Sequence, residues 1–174
     1  LLKHANPLLK VTIIPRGRAL GAAWYLPEER AITTVEQMMD EMASALGGRA
    51  AEELMIGRIS TGAMNDLEKV TRQAYAMVAY FGMSDVIGNV SFYDSTENAG
   101  FNLGKPYSEQ TSQLIDKEVK RIIDQAYDTA RDILNKNKDN FLKLAELLLE
   151  KEVIFSDDLE AIFGKRATAD DTKA

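Results

Sequence analysis

The sequence has 174 residues, 45% of them hydrophobic and 28% charged, a composition that suits one folded domain and excludes a chain disordered throughout. Its formal net charge of −6 argues against a general affinity for nucleic acid or anionic lipid. The absence of cysteine excludes disulfides and thiolate metal sites, and no apolar run approaches the roughly 20 residues that span a bilayer.

The N-terminal part predicts the end of a helix and then two strands. Residues 1–6, LLKHAN, are typical of a helix tail stopped by Pro7, and because the sequence opens there without Met we expect a piece of a longer protein. The segment Leu8–Pro15 is rich in β-branched residues, which favours a strand. Residues 22–26, AAWYL, predict a second strand at a sheet edge, since the following Pro27 has no N–H for a ladder.

The remainder of the sequence predicts helices, with no further strand except a short one at 89–93 inside a surface loop. The helices are expected, in chain order, at 33–56, 61–81, 108–134, 141–151 and 156–163. The predicted fold is therefore mainly α, a helical domain with a small N-terminal β element over residues 1–164. Residues 165–174 are expected to form a disordered polar tail.

Local patterns predict how these helices begin and what they bury. Thr33 and Glu36 fit a capping box at the start of the first helix, and Ser156 fits an N-cap of the last. Gly47 and Gly48 cost the first helix roughly 1 kcal/mol each, so we expect a closely packed neighbouring backbone beside them. The second helix is expected to bury a stripe of apolar residues, namely Leu67, Val70, Ala74, Met77, Val78 and Phe81.

Few residues offer catalytic chemistry by themselves. His4 is the one histidine, so neither a two-histidine metal site nor a Ser-His-Asp arrangement fits, and we interpret it as a surface or capping residue. The segment RGRALG lacks the Lys-Ser/Thr of a phosphate-binding loop. The carboxylate pairs in PEER (27–30) and AAEEL (50–54) are interpreted as solvated charge or local ion pairs.

The stretch STGAMNDLEKVT, residues 60–71, admits two interpretations. In the first, Thr61 or Asn65 caps the helix and the Asp66 carboxylate complements the helix dipole. In the second, Asp66 has a chemical partner, because the three residues supply more acceptors than one helix start requires. A carboxylate held in the first turn of a helix has a fixed geometry that suits zinc ligation.

Several long segments resemble one family. HANPLLKVTIIPRGRALG, LGGRAAEELMIG, STGAMNDLEKVT, FGMSDVIGNVSF and YSEQTSQLIDKEVKRIIDQAYDTARDIL occur in the order and spacing of the protease domain of FtsH-type, membrane-anchored AAA+ zinc metalloproteases. The resemblance covers most of the chain. It implies zinc-assisted peptide hydrolysis, in which a His-Glu-x-x-His motif supplies two zinc ligands and a general base, and an Asp on a later helix supplies the third protein ligand.

The resemblance places Asp66 at the position of that third ligand, with Thr61 and Asn65 as the neighbours that would orient it. The His-Glu-x-x-His motif lies immediately upstream of HANP in the family, so the peptidase domain at 1–164 lacks its motif-bearing first helix. This chain then contains no catalytic residue, His4 is not a zinc ligand, and the fragment is expected to be inactive alone. A non-catalytic scaffold or assembly domain of the same family is the alternative.

The resemblance also implies a substrate site and partners. The strand Gly21, Ala22, Ala23, Trp24 and Tyr25 looks like the edge that pairs with an extended peptide substrate; an ordinary hairpin strand is the alternative. The family implies a homo-hexamer, an AAA+ module that uses ATP and Mg²⁺, and a membrane anchor, all outside this chain. The expected location is the bacterial inner membrane with the protease domain in the cytoplasm, or an organellar membrane. The apolar face from Leu114 to Ile133 is then core or a subunit contact.

Overall fold

A computed structural model of the chain describes residues 1–17, 20–26, 32–93 and 106–166. The strands are β1 (Leu8–Thr12), β2 (Ala22–Tyr25) and β3 (Val153–Phe155). The α-helices are α1 (Val35–Ala51), α2 (Met64–Ala79), α3 (Glu109–Lys136), α4 (Lys138–Lys151) and α5 (Ser156–Phe163). A π-helical turn, Glu52–Ile56, extends α1, and a 3₁₀ turn, Thr61–Ala63, precedes α2. The prediction of a mainly α domain with a small β element is confirmed.

The core lies where α1, α2 and α3 pack against one another. Each of these helices carries an apolar stripe at helical spacing, which is what drives such packing. The most deeply buried large side chains of the three helices are Met42, Leu46, Val70, Met77, Val78 and Ile115. The stripe predicted for α2 is shorter than expected, because Leu67 is 36% exposed and Phe81 is 58% exposed. Among the described residues, no helix is both long and apolar enough to cross a bilayer.

The start and the interior of α1 differ from the prediction. The N-cap is Thr34, not Thr33, and the capping box forms with Gln37: the Gln37 N–H donates to Thr34 Oγ1 and the Thr34 N–H donates to Gln37 Oε1. A β-carbon placed on Gly47 or Gly48 would meet no atom of the described residues within 4 Å. The prediction of a closely packed neighbouring backbone is therefore wrong. Each glycine therefore faces open space.

The sheet has the order β2-β1-β3, with both pairings antiparallel. The third strand was missed, because three residues between two helices carry no periodic signal of their own. It is set up by Glu152, which ends α4 with a left-handed φ of 59°. The Glu152 carbonyl then accepts bonds from the Ile13 N–H and from Thr12 Oγ1, so β3 is locked against β1 from its first residue. The edge position predicted for β2 is confirmed.

Two predicted elements at loop segments are wrong. Residues 3–5 form bends and residues 1, 2 and 6 have no regular structure, so the expected helix tail is absent; Pro7 disfavours the helical conformation of the residue before it. No strand forms at 89–93; the Phe92 N–H instead donates to the carbonyl of Ala79 at the end of α2.

Two helix starts also differ from the prediction. Helix α4 begins at Lys138 and not at 141, because the Asn137 side chain caps α3 through the Ile133 carbonyl and leaves a break of one residue. The cap of α5 comes from inside the helix: the Asp158 carboxylate accepts the Phe155 N–H at 3.1 Å, so Ser156 is not the N-cap.

Candidate metal site and edge strand

Asp66 lies in the first turn of α2 with its side chain exposed. Within the described ranges, its carboxylate takes part in no hydrogen bond or ion pair. The position complements the positive end of the helix dipole, which is worth a few tenths of a kcal/mol at an exposed site. Both carboxylate oxygens therefore remain able to accept a ligand from solvent.

The turn that leads into Asp66 is held by Ser60 and Glu52. The Ser60 hydroxyl oxygen accepts the N–H of Gly62 at 3.1 Å, which caps the 3₁₀ turn. The Ser60 N–H and hydroxyl both donate to the Glu52 carboxylate, at 3.0 and 2.5 Å. These bonds from Ser60 hold the pKa of Glu52 below its usual range. A carboxylate at the end of α1 thus fixes the start of α2.

The neighbouring Glu53 ties the same π turn to α3. Its carboxylate accepts the Tyr127 hydroxyl at 2.8 Å and pairs with the Arg131 guanidinium at 3.4 Å. Partial burial, together with the hydrogen bond to Glu53 and its charge, raises the pKa of Tyr127. The interpretation of AAEEL as local ion pairing therefore holds for Glu53, whereas Glu52 has a bonding role that the sequence analysis missed. The PEER pair lies outside the described residues.

The capping role expected of Thr61 and Asn65 falls to Ser60. Both residues are exposed, and in the described part of the chain neither side chain hydrogen bonds to Asp66 or to a helix N–H. Asn65 lines a groove of about 490 Å³ between α1 and α2. The signal that was missed is Ser60 itself, a serine two residues before Gly62 at the entry of a helix.

The donor set fits zinc only in part. A carboxylate with free oxygens is a ligand type that zinc accepts, and Asp66 meets that requirement. However, the described ranges hold no group of three or more His, Asp or Glu side chains that could bind a metal ion together. His4 lies elsewhere, and its backbone N–H donates to the Asp40 carboxylate at 2.8 Å. Asp66 can therefore serve as one ligand, and further ligands would have to come from beyond the described residues.

In the described part of the chain, strand β2 presents an open edge. All four of its residues are exposed, and its other edge pairs with β1. Gly21 comes just before it, and a β-carbon there would lie 2.6 Å from the Thr12 carbonyl oxygen. Glycine is thus required at this position by the approach of β1. The structure places Ala22–Tyr25 in a strand at one edge of the sheet, with Gly21 directly before it.

An apolar groove of about 570 Å³ runs beside the N-terminal residues. Its walls come from α1, α3, α5 and the N-terminal segment, and they include Leu1, Leu8, Ala43, Gly47, Ile133 and Phe163. At one end Arg166 donates to the backbone carbonyls of Leu2, Lys3 and Ala5. No local sequence pattern predicts this groove, because its walls come from segments far apart in the chain.

Comparisons with known proteins agree on one family. ATP-dependent zinc metalloprotease FtsH of Parabacteroides distasonis is 66% identical over 168 residues, covering 96% of this chain and 24% of that protein. The mitochondrial ATP-dependent zinc metalloprotease FTSH 3 of Oryza sativa is 51% identical over 166 residues, which cover 95% of this chain and 20% of that protein. The mitochondrial inner membrane m-AAA protease component AFG3L2 of Mus musculus is 48% identical, over 95% of this chain and 20% of its own length.

The chain therefore spans about a quarter or less of the curated relatives it matches. A family model described as peptidase family M41 matches residues 1–162, nearly the whole of the described chain. The chain belongs to peptidase family M41.

Proposed function

We propose that this chain is the larger part of the zinc metalloendopeptidase domain of an ATP-dependent protease that degrades unfolded, membrane or regulatory proteins. One observation carries the proposal: Asp66 presents an exposed carboxylate with no partner among the described residues, on a turn that Glu52 and Ser60 hold in place. The names of the relatives, zinc metalloproteases from bacteria and plant mitochondria, support it.

Each residue of this region has a proposed task. Asp66 is the protein ligand that this chain gives to the metal. Its exposed neighbours Asn65 and Thr61 make no bond to it in the described structure, and their proposed role is to orient the carboxylate once a metal is bound. Ser60 and Glu52 hold the backbone that carries it. When bound, zinc supplies Lewis-acid activation of water and of the scissile carbonyl. The two remaining ligands and the general base belong to a His-Glu-x-x-His motif upstream of residue 1, and without them the 174 residues are inactive.

The apolar groove is the proposed seat of the helix that carries this motif. Its lining includes Leu1 and Leu2, so a helix that ends just before Leu1 would lie next to the groove. Its apolar walls suit a buried helix face. Gly47 lines the groove and Gly48 faces solvent, which gives a matched test. Gly47→Leu in the full-length protein is expected to lower zinc content, and Gly48→Leu is not.

The whole protein is proposed to be a membrane-anchored homo-hexamer whose AAA+ module uses ATP and Mg²⁺ to feed polypeptides to this domain. A membrane location is supported by the name of the mouse relative, an inner-membrane protease component. For a bacterial source the domain would face the cytoplasm, and for a eukaryotic source it would lie at an organellar membrane. Extended substrates pair with β2 through main-chain hydrogen bonds, which tolerate many sequences.

The deciding experiment is zinc analysis together with a peptidase assay on the full-length protein. We expect about one zinc per chain in the wild type, and Asp66→Asn should lose both zinc and peptidase activity. Glu68→Gln is the matched control, since Glu68 is an exposed carboxylate on the same helix. Equal zinc content in Asp66→Asn and wild type would refute the ligand assignment. A wild-type protein that assembles but holds no zinc would support the non-catalytic scaffold. Asn65→Ala is expected to weaken zinc retention.

A further inference from the structure

We propose that Trp24 forms a subsite on the outer face of the sheet that selects a large apolar side chain of the substrate. The inference rests on the proposed function, in that it takes β2 to be the strand with which a peptide pairs. It adds a side-chain preference at one position of a substrate that is otherwise held by its backbone.

The hydrogen bonds of the sheet fix which backbone groups of β2 are free. The Leu26 N–H donates to the Pro7 carbonyl at 2.8 Å, so it points toward β1. Because backbone directions alternate along a strand, the N–H and C=O of Trp24 also point toward β1. Those of Ala23 and Tyr25 point to the open edge. An added strand therefore pairs with Ala23 and Tyr25, and Trp24 lies between these two bonding positions.

The strand register fixes the face on which the Trp24 side chain lies. In the central strand β1, Lys10 is directly opposite Trp24 of β2 and directly opposite Phe155 of β3. Residues directly opposite one another lie on the same face of a sheet, so these three side chains share one face. The opposite face carries Ile154, which is fully buried. The Trp24 face is thus the outer one, and Trp24 is 39% exposed on it.

Lys10 gives this outer face a defined shape. Its ammonium lies over the Trp24 ring, 5.1 Å from the centroid, and 6.0 Å from the centroid of Phe155. A cation within about 6 Å of a ring centroid is attracted to that ring, so the Lys10 ammonium has an attractive contact with each of the two rings. The Trp24 ring therefore stands at the open edge with its Lys10 side occupied and its other side available.

The spacing of strands decides what the subsite selects. An added strand lies about 4.8 Å from β2, and its side chain opposite Trp24 comes within about 5 Å of it. The strand that bears Lys10 is about twice as far away, so the substrate side chain meets the indole first. Large aromatic and aliphatic side chains gain most from contact with an aromatic ring. On the other face the neighbours are Ala23, which offers no comparable surface, and Tyr25, which is 45% exposed. The preference that Trp24 creates therefore applies to the one substrate residue opposite Trp24, and contacts with Tyr25 concern a different substrate position on the opposite face.

The test uses the full-length protease and a peptide series that is identical except for one residue, scanned along the peptide as Phe, Leu, Asp or Ser. For the wild type, Phe and Leu at one position are expected to raise kcat/KM by about threefold to tenfold over Ser. Trp24→Ala should abolish that difference by raising KM for the Phe and Leu peptides more than for the Ser peptide, with the zinc content unchanged. Trp24→Phe should retain most of the preference. Tyr93→Ala, which removes an exposed ring that packs against Tyr80 at the end of α2, should behave like the wild type.

The outcomes separate this inference from the proposed function. If Trp24→Ala retains the Phe and Leu preference, or loses activity equally on all peptides, the subsite is wrong even though the protease activity stands. A preference of the wild type for the Asp peptide that disappears in Lys10→Gln would overturn the proposal, because it would show that the subsite selects an acidic side chain through the charge of Lys10. Methylation of single peptide nitrogens tests the pairing with β2: unchanged cleavage of every methylated peptide contradicts the edge itself. Failure of the wild type to cleave any peptide contradicts the proposed function.

Discussion

Two carboxylates of this chain have opposite surroundings. Glu118 lies where α3 contacts the segment after α2, and Asp66 lies at the start of α2. Glu118 is 6% exposed and accepts three hydrogen bonds, one from the Ser84 hydroxyl and two from the Arg121 guanidinium. Ser84 in turn accepts the N–H groups of Val86 and Ile87. Asp66 is exposed and, among the described residues, has no such partner.

The difference shows how structural and ligand-binding carboxylates can be told apart. A carboxylate that stabilises the fold is buried and its oxygens are occupied by donors, because an unpaired buried charge is costly. A carboxylate kept for a ligand has free oxygens, and the rigidity it needs comes from bonds made by neighbouring residues. At Asp66 those neighbours are Ser60 and Glu52.

The largest effect on stability is expected from Glu118→Ala. The change leaves the Ser84 hydroxyl without its acceptor in a buried site and should lower the free energy of unfolding of the 174-residue chain by about 2–3 kcal/mol. Urea unfolding followed by circular dichroism measures it. Asp116→Ala, at an exposed position on the same helix, is the control and should stay within about 0.5 kcal/mol. If Glu118→Ala lowered the free energy of unfolding no more than Asp116→Ala, the buried carboxylate would contribute nothing to stability.

The stabilisation by Glu118 should depend on pH. The hydrogen bonds from Arg121, and then from Ser84, hold the pKa of Glu118 below its model-peptide value of 4.5, against the opposing effect of burial. A carboxyl whose pKa is lowered by folding contributes stability that is present above the unfolded pKa and is lost as pH falls through the folded pKa. The difference in unfolding free energy between wild type and Glu118→Gln, about 1–2 kcal/mol at neutral pH, should therefore shrink below about pH 4.5. A difference that grows toward acid would contradict the sign.

Ser60→Ala should have an intermediate effect, about 1 kcal/mol, since it removes an N-cap. The same measurement on Thr61→Ala should show almost no change, because the Thr61 side chain caps nothing in the described structure. If Thr61→Ala lowered the free energy of unfolding more than Ser60→Ala, Thr61 would be the N-cap, as the sequence pattern predicted. In the full-length protein, Ser60→Ala is also expected to weaken zinc binding, because it loosens the turn that carries Asp66.

The smallest effect on stability is expected from Asp66→Asn, within about 0.5 kcal/mol, even though the same change should remove zinc from the full-length protein. This pair of results is the sharpest form of the comparison with Glu118. A cost above about 1 kcal/mol would instead identify Asp66 as a residue that stabilises the start of α2.

The sequence predicts the helices well where apolar spacing is long, and poorly where structure depends on distant pairing. Helices α2 and α3 follow from repeated apolar residues, whereas β3 forms only because the Glu152 carbonyl meets β1, 140 positions away from Thr12. The edge strand follows from the segment AAWYL, and its position at the edge follows from Pro27. The role of Asp66 came from resemblance, since its local pattern allowed a simple capping residue. The bond from Ser60 to Glu52 crosses the π turn, and no local pattern predicts it.

The π turn also bears on where this chain can gain or lose a residue. Glu52 and Glu53 are consecutive, yet one reaches the turn before α2 and the other reaches α3. Deleting one residue between Glu52 and Gly57 would tighten the wider turn and rotate one glutamate away from its partner. Gly57 closes the turn with a left-handed φ of 70°, and the two residues after it are exposed. Length variation is therefore expected to be tolerated at 58–59 and excluded from 52–56.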